Sequence, residues 1–338
     1  MPGTILLTGA NSSLAIPAVH HFLTKYPDYT LVLTVRNPST SDPNTKRLND
    51  TIAPFFNPST SIRKLVLSNL SEVATFAQTL ATEITNGTLP PLASIICNAY
   101  YWNLASEVET TADELDKTFQ VNHIAHASLV LRLLGSFGPN FGRVILFGSD
   151  AHWPGKNGLE KYPPTIPEDL DVLVKPIKKA DEDVRGKGFY QYAVSKLAII
   201  MWMYALNGQL IQDDNLRHIK AVAINPGNLS DSRALRTNTP LTLRIISRLI
   251  IQPLRPLLRL LDPTMRTATE AGEDVVELAV SEKYAGEAGY FTLLKKDESS
   301  PESQDGEKQE KIWKKTLEWA QVSPKDTVLK LDKGGLPM

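Results

Sequence analysis

Short apolar runs alternate along this chain with longer segments in which apolar residues recur at helical spacing. Runs near Thr4–Thr8, Tyr29–Val35, Ile62–Leu67, Leu92–Cys97, Arg143–Phe147 and His218–Ile224 read as strands, Leu92–Cys97 as one of buried type. Between them, the pattern predicts helices over about Leu14–Lys25, Ser71–Thr85, Thr111–Ser136 and Phe189–Asp213, with a last short strand at Tyr290–Thr292. Strands separated by helices predict an α/β fold, a doubly wound parallel sheet with helices on both faces. Such sheets bind ligands beyond the carboxyl ends of their strands. The loops after Thr8, Val35, Leu67, Cys97, Phe147 and Ile224 are therefore where chemistry is expected.

Three stretches break the alternation. Residues 150–188 form a long polar insertion rich in Pro and Lys, expected to fold as a lid or rim. Leu241 to Leu261 is apolar apart from Arg244, Arg248, Arg255 and Arg259, which fall on one helical sector; Pro253 and Pro256 predict two shorter helices. Such a segment is open to two readings, a lid packing its leucines on the core or a surface resting on a membrane. Residues 295–311 are polar, a surface loop before a helix near Trp313–Trp319.

Composition narrows the classes. With 36 basic and 37 acidic residues the net charge is −1, which leaves no overall footprint for nucleic acid. The one cysteine, Cys97, excludes an internal disulfide and suits a reducing compartment. No signal-like segment opens the chain, and no uninterrupted apolar run reaches the roughly 18 residues of a membrane span. A cytoplasmic protein is expected, with possible peripheral contact to a cytosolic membrane face. His123 and His126 share a helix face without an evident third ligand, so no metal site is expected.

The central candidate is Tyr192-Ala193-Val194-Ser195-Lys196. Four residues apart on a helix, Tyr192 and Lys196 lie one turn apart on one face. A neighbouring ammonium favours phenolate and should lower the tyrosine pKa toward working pH, which makes Tyr192 a candidate acid–base group. The first β–α loop, Thr8-Gly9-Ala10-Asn11-Ser12-Ser13-Leu14-Ala15, pairs Gly9 with small residues at Ser13 and Ala15. Such a turn can aim backbone N–H groups at a pyrophosphate. The second strand ends in Arg36 with no acid at Thr34 or Val35; an arginine there can pair with the 2′-phosphate of NADP, where an acid would bind the ribose of NAD.

The ordered set Thr8-Gly9, Asn98-Ala99, Asn122, Ser149, Tyr192-x-x-x-Lys196 and Pro226-Gly227 resembles the short-chain dehydrogenase/reductase family over residues 3 to 295. The resemblance implies a single Rossmann-type domain over 1–295, with 150–188 as insertion, 228–285 as substrate lid and 296–338 as an extension packed on it. It implies a tetrad. Tyr192 would give the proton to a carbonyl oxygen, Lys196 would tune it and hold the nicotinamide ribose, Ser149 would bind the oxyanion, and Asn122 would hold a water reaching Lys196. It implies NADP(H) bound by Thr8, Gly9, Asn11, Ser12, Ser13, Leu14, Arg36, Asn98, Ala99, Tyr192, Lys196, Pro226, Gly227 and Leu229.

The chain departs from the family at Ser13, Ala15 and Tyr100, where glycines are usual, and at Val66, where an aspartate commonly meets adenine. Its texture, including Asn98-Ala99-Tyr100, is similar to fungal members near the 3-ketosteroid reductases and secondary-metabolite enzymes, and its tail, with Gly289-Tyr290-Phe291 and Ile312-Trp313, resembles members acting on retinoids and other bulky lipophilic carbonyls. The expected activity is NADPH-dependent reduction of a ketone on a large apolar molecule, or the reverse oxidation. Tyr100, Tyr101 and Trp102 are candidates for an aromatic wall. A non-redox isomerase or cyclase and a silent NADP(H)-binding protein remain alternatives at this point.

Overall fold

The computed structural model describes residues 2–175 and 183–331. In chain order the elements are β1 (Thr4–Thr8), α1 (Ala15–Lys25), β2 (Thr30–Val35), α2 (Pro43–Ile52), β3 (Thr60–Lys64), α3 (Leu70–Thr85), β4 (Leu92–Cys97), α4 (Lys117–Phe119), α5 (Ala125–Leu133), β5 (Gly142–Phe147), α6 (Asp171–Val174), α7 (Val184–Gln212), β6 (Ile219–Asn225), β7 (Asn228–Leu229), α8 (Leu241–Ile246), α9 (Gln252–Leu261), β8 (Met265–Arg266), α10 (Ala268–Val280), β9 (Gly289–Thr292), β10 (Lys295–Lys296) and α11 (Gly306–Trp319). The eight-stranded sheet runs β10-β9-β6-β5-β4-β1-β2-β3. Its pairs are parallel except β9–β10, which is an antiparallel hairpin edge. Strand order reverses between β1 and β4, the switch point at which doubly wound sheets open a crevice.

Side-chain alternation along the strands builds the two layers. Leu6, Ile95, Val144 and Leu146 face one core with α3, α5, α7 and α11. Ile5, Leu7, Ile96 and Ile145 face the other with α1, α2 and α10. Helix α7 is long and apolar enough to cross a membrane by composition, but 67% of its most apolar window is buried inside the protein. The cause is its place in the sheet's helical layer: Leu197, Ile200, Met201 and Trp202 are all buried.

Several boundaries differ from the sequence expectation. β3 covers Thr60–Lys64 rather than Ile62–Leu67, because pairing with Leu31–Val35 fixes its register and the chain leaves the sheet at Leu65. The helix expected over Thr111–Ser136 begins only at Lys117, where the Asp116 carboxylate caps the Phe119 N–H at 2.7 Å. It widens into a π-helical turn at Gln120–Ile124 before α5. α7 starts at Val184, ahead of Phe189, because Asp183 caps the Gly186 N–H.

Residues 295–311 are not a surface loop. β10 and a 3₁₀ turn at Pro301–Gln304 occupy them, and Ser299, Ser300 and Ser303 are fully buried. Helix α11 then lays Ile312, Trp313 and Leu317 into the core beside α7, with Trp313 stacked on Trp202 at 6.1 Å between ring centres. Ion pairing of Arg132 with Asp326 at 2.7 Å ties the following segment to α5. Of the C-terminal extension, residues 332–338 lie outside the described residues.

The 150–188 insertion divides. Its first part reaches the Tyr192 cluster through Leu159. Its second part does not cover the site: Ile166, Leu170, Leu173 and Val174 enter the large core. Asp171 meets Lys315 and the Trp319 indole of α11. Residues 176–182 of the insertion lie outside the described residues.

The Leu241–Leu261 stretch is not two separate helices. α8 and α9 are joined by a π-helical turn at Ser247–Ile251. Pro253 stands just after this wide turn and Pro256 follows three residues on, both inside the continuous run rather than ending it. Its leucines neither pack on the core nor line a pocket as a group, since neither helix buries a residue. The lid region also ends earlier than residue 285: α10 buries Ala271, Val275 and Val276 in the core and is opened by a capping box between Thr267 and Glu270.

Candidate active site

At the carboxyl end of β1, Gly9 turns the chain with φ +62°. A side chain there would strike Ala99, whose Cα lies 2.9 Å from the Cβ position, so only glycine lets these two loops approach. Asn98 fastens them, donating from Nδ2 to the carbonyls of Thr8 at 2.8 Å and Gly9 at 3.0 Å. The Ala99 N–H in turn donates to the Thr8 hydroxyl at 3.0 Å. Ser12 Oγ accepts the Ala15 N–H at 3.0 Å, while the helix itself has no side-chain cap at Leu14 and no acid in its first turn. Asn11 reaches across to Thr45 of α2 at 2.9 Å.

The four residues of the expected tetrad come together from three places: α7, the loop after β5 and the π-helical turn before α5. Tyr192 and Lys196 lie one turn apart on α7, with the ammonium 5.6 Å from the phenol ring centre. Ser149 stands two residues beyond β5, donates to Asp150 Oδ1 at 3.0 Å, and lies near enough to the Tyr192 phenol to favour its ionised form. Lys196 Nζ donates to the Phe147 carbonyl at the end of β5, 2.9 Å away. Asn122 sits on the π-helical turn. It clasps the Tyr101 backbone, accepting its N–H at 2.7 Å and donating to its carbonyl at 2.9 Å. Its amide also donates to Ser195 Oγ at 2.9 Å, whose hydroxyl donates to the Tyr192 carbonyl. Asn122 thus reaches α7 beside Lys196 rather than Lys196 itself.

The electrostatics invert the sequence expectation. Burial raises the Tyr192 pKa well above the usual phenol range; Ser149 works against this, and the nearby Tyr100, Asp150 and Tyr290 add to it. The cost of burying charge falls on Lys196 as well, pulling its pKa down to about 7, against a small upward pull from Cys97. Tyr192 is therefore a group that keeps its proton until negative charge develops beside it.

The aromatic wall is a single residue. Trp102 meets Tyr192 edge-on at 5.5 Å. Tyr101 turns away to Glu109, and Tyr100 hydrogen-bonds Ser232. Phe189, Leu104, Ala151, Ala193, Leu159 and the inward-facing Leu243 of α8 complete an apolar cluster around Tyr192.

The remaining expected residues lie as follows. Gly227, after Pro226, turns with φ +85°, and Leu229 belongs to β7, paired with Arg266. Arg36 is exposed just beyond β2, and Ser13 accepts the Arg233 N–H at 3.1 Å. His126 is spent on Thr8 and His123 on Thr316; burial pushes both pKa values down to about 3, so both are neutral. Among the described residues no group of three His, Cys, Asp or Glu is placed to hold a metal.

Two residues escaped the sequence reading. Arg233 crosses from the loop after β7 to the first β–α loop, where its guanidinium donates to the Asn11 carbonyl. The arginines that follow it with no acid up to Leu261 were the available signal. His152 is buried behind Ser149. Its Nε2 accepts the Ser300 N–H at 2.9 Å, so Nδ1 carries the hydrogen that meets the Ser149 carbonyl. No local motif marks it, because its partner lies 148 residues away.

The chain is similar to several known proteins. Residues 233–329 match the family model described as the AcuH dehydrogenase domain. The short-chain dehydrogenase iccH of Talaromyces variabilis is 28% identical over 97% of this chain and 98% of its own. Dehydrogenase acuH of Aspergillus aculeatus is 57% identical over 82 residues, 24% of this chain and 84% of that protein. Among solved structures, an NADPH-bound carbonyl reductase from chicken fatty liver has the same fold, with a TM-score of 0.56 at 17% identity over 88% of this chain and 99% of that one. With a switch-point crevice, a converged Asn122–Ser149–Tyr192–Lys196 set and these relatives, the chain belongs to the short-chain dehydrogenase/reductase family of oxidoreductases.

Proposed function

We propose that the protein is an NADPH-dependent carbonyl reductase for a bulky apolar ketone such as a steroid, terpenoid or polyketide, or that it runs the reverse oxidation. The observation that carries this reading is Tyr192 with Ser149 beside its phenol and Lys196 one turn away, walled by Trp102, Phe189, Leu159 and Leu243. A phenol that holds its proton beside a serine suits a carbonyl oxygen that becomes an alkoxide.

The residues present fit a dinucleotide phosphate. Gly9, with no side chain, lets the first β–α loop close against Ala99, and α1 offers an N-terminus free of acids. Arg233 brings a guanidinium to the same loop, and Arg36 is exposed just beyond β2. Thr8, Gly9, Asn11, Ser12, Ser13, Leu14, Asn98 and Ala99 would hold the pyrophosphate and ribose there, Arg36 the 2′-phosphate, and Pro226, Gly227 and Leu229 the nicotinamide end. That the chicken enzyme is named as NADPH-bound supports the same cofactor here.

Bound NADPH would supply hydride to the carbonyl carbon. The chain's own part is the proton and the charge. Ser149 donates to the developing oxyanion, which is worth most in a dry site. Tyr192 gives its proton to that oxygen, and the Lys196 ammonium one turn away stabilises the phenolate left behind. Asn122 keeps α7 and the loop after β4 in register through Ser195 and Tyr101. The apolar cluster excludes water and binds the substrate body. The test is NADPH consumption, followed at the nicotinamide absorbance band, against a panel of bulky and small ketones. Consumption with bulky ketones, or NADPH formation from NADP+ with the matching alcohols, supports the reading, and neither with any ketone or alcohol sinks it.

A further inference from the structure

We propose that the α8–α9 run is a docking face for an anionic lipid bilayer. On a globular surface an amphipathic helix turns its apolar side inward. This run does the reverse. Leu241, Leu249, Leu257, Leu260 and Leu261 are 63 to 85% exposed, while Ser247 is buried against the body at 1%. Elsewhere among the described residues large exposed apolar side chains occur singly, as at Phe56 or Ile211. A contiguous apolar face of this kind needs a cover.

Charge identifies the cover. From Arg233 to Leu261 the sequence holds arginines at 233, 236, 244, 248, 255 and 259 and no Asp or Glu. Arg244 is held to the Thr239 carbonyl at 2.8 Å and Arg259 to Glu270 at 3.2 Å, both at the edge where the run meets the protein body. Arg248 and Arg255 have no acidic partner among the described residues. Leucines outward with arginines along their edge match acyl chains beneath anionic headgroups. A second copy of this chain fits less well, because pairing the face with itself would set arginines against arginines with no acid between them. The inward side of the same run carries Leu243 into the Tyr192 cluster. Docking would therefore place the bilayer across one helix from that cluster, and it stands whether or not the catalytic reading does.

The test is co-sedimentation of the full chain with phosphatidylcholine vesicles, with and without phosphatidylserine, beside light scattering for oligomeric state. The expected result is binding to phosphatidylserine vesicles that weakens with salt. Combined Leu249→Ser, Leu257→Ser and Leu260→Ser should cut binding at least about tenfold without moving the thermal transition, since all three side chains face solvent. Combined Arg248→Gln and Arg255→Gln should lower binding to phosphatidylserine vesicles and leave residual binding to phosphatidylcholine unchanged. Wild-type protein that stays in solution with phosphatidylserine vesicles overturns the proposal. So does a triple-leucine variant that binds as well as wild type. A dimer that ignores vesicles and dissociates in the triple variant would give the face to a second copy instead.

Discussion

The ammonium of Lys196 is held by a backbone carbonyl, Phe147 at 2.9 Å, at the point where β5 ends and Ser149 begins. One hydrogen bond thus fixes the helix-borne lysine to the strand that carries the serine. It does not offset the desolvation of the cation, which brings the Lys196 pKa from 10.5 to about 7. The unfolded chain then binds more protons than the folded one between about pH 7 and 10.5, so stability should rise with pH across that window. Below about pH 7 the penalty is present in full. Lys196→Met removes it, and the cofactor-free variant should be more stable than wild type by on the order of 1–2 kcal/mol near pH 6. The advantage should fade as pH climbs toward 10. Thermal melts across pH check this, and a difference that stays constant with pH would contradict it.

Tyr192→Phe removes one hydroxyl and keeps the ring against Trp102 and Phe189. Fold and NADPH affinity should therefore survive. Turnover should fall by about 10²–10⁴-fold, the usual worth of a positioned general acid. A variant retaining about a third of wild-type kcat would remove Tyr192 from the proton-transfer role.

Arg36 and Arg233 approach the cofactor loops from different elements, and their losses should differ in kind. Arg36→Ala should weaken NADPH by about 1.5–3 kcal/mol, the range for a hydrogen bond to a charged group, and spare NADH. Arg233→Ala should weaken both cofactors, because its guanidinium meets the Asn11 carbonyl of the loop that would hold the shared pyrophosphate. Fluorescence titration with each cofactor separates the two; equal effects of Arg36→Ala on NADPH and NADH would show that it does not read the 2′-phosphate.

The corrected placement of the α8–α9 run changes which leucine governs the substrate. Leu249 and Leu257 face outward, and only Leu243 joins the Tyr192 cluster. Leu243→Ser should raise KM for a large apolar ketone several-fold and leave a small ketone nearly unchanged. Leu249→Ser should leave KM for a water-soluble substrate alone. The reverse ranking would restore the leucines to the pocket.

What the sequence made legible follows from the range of the interactions. The alternation of strands and helices, the Gly9 turn, and Tyr192 with Lys196 on one helix face are set by spacings of a few residues. The seating of Ser149 beside Tyr192 needed the whole sheet, but β-strand ends mark their loops in advance. The hidden features depend on distant partners or on solvent. The π-helical turn that carries Asn122 is invisible to a 3.6-residue period. The direction of the Tyr192 pKa shift turned on burial, which a Tyr–Lys spacing does not report. The leucines of 241–261 carried a helical pattern whose inward side could be assigned only with the core in place. The polar residues 299–303 read as surface because their hydrogen-bond partners, including His152 and Tyr204, are remote in sequence.

His152 is where that remote contact reaches the chemistry. Its ring is 1% exposed and lies 5.1 Å from the Tyr290 ring. It joins the Ser149 carbonyl to the Ser300 N–H in one tautomer. Burial pulls its pKa from 6.5 to about 4, partly opposed by the bond to Ser149. The unfolded chain then binds the extra proton between about pH 4 and 6.5, so this group withdraws stability as pH falls through that window, and none of the penalty remains above it. His123 and His126, shifted further down, act in the same direction. His152→Ala leaves the Ser300 N–H buried without a partner and opens a cavity, costing about 2–4 kcal/mol. Because it frees the Ser149 backbone, it should also lower kcat more than it weakens NADPH binding. His152→Gln can present both a donor and an acceptor and cannot take up a proton. It should recover part of kcat and flatten the acid limb of stability between about pH 4 and 6.5. Melting curves against pH, read beside kcat and the NADPH dissociation constant, distinguish this positioning role from packing alone: if glutamine rescues no more than alanine does, the imidazole serves only to fill space.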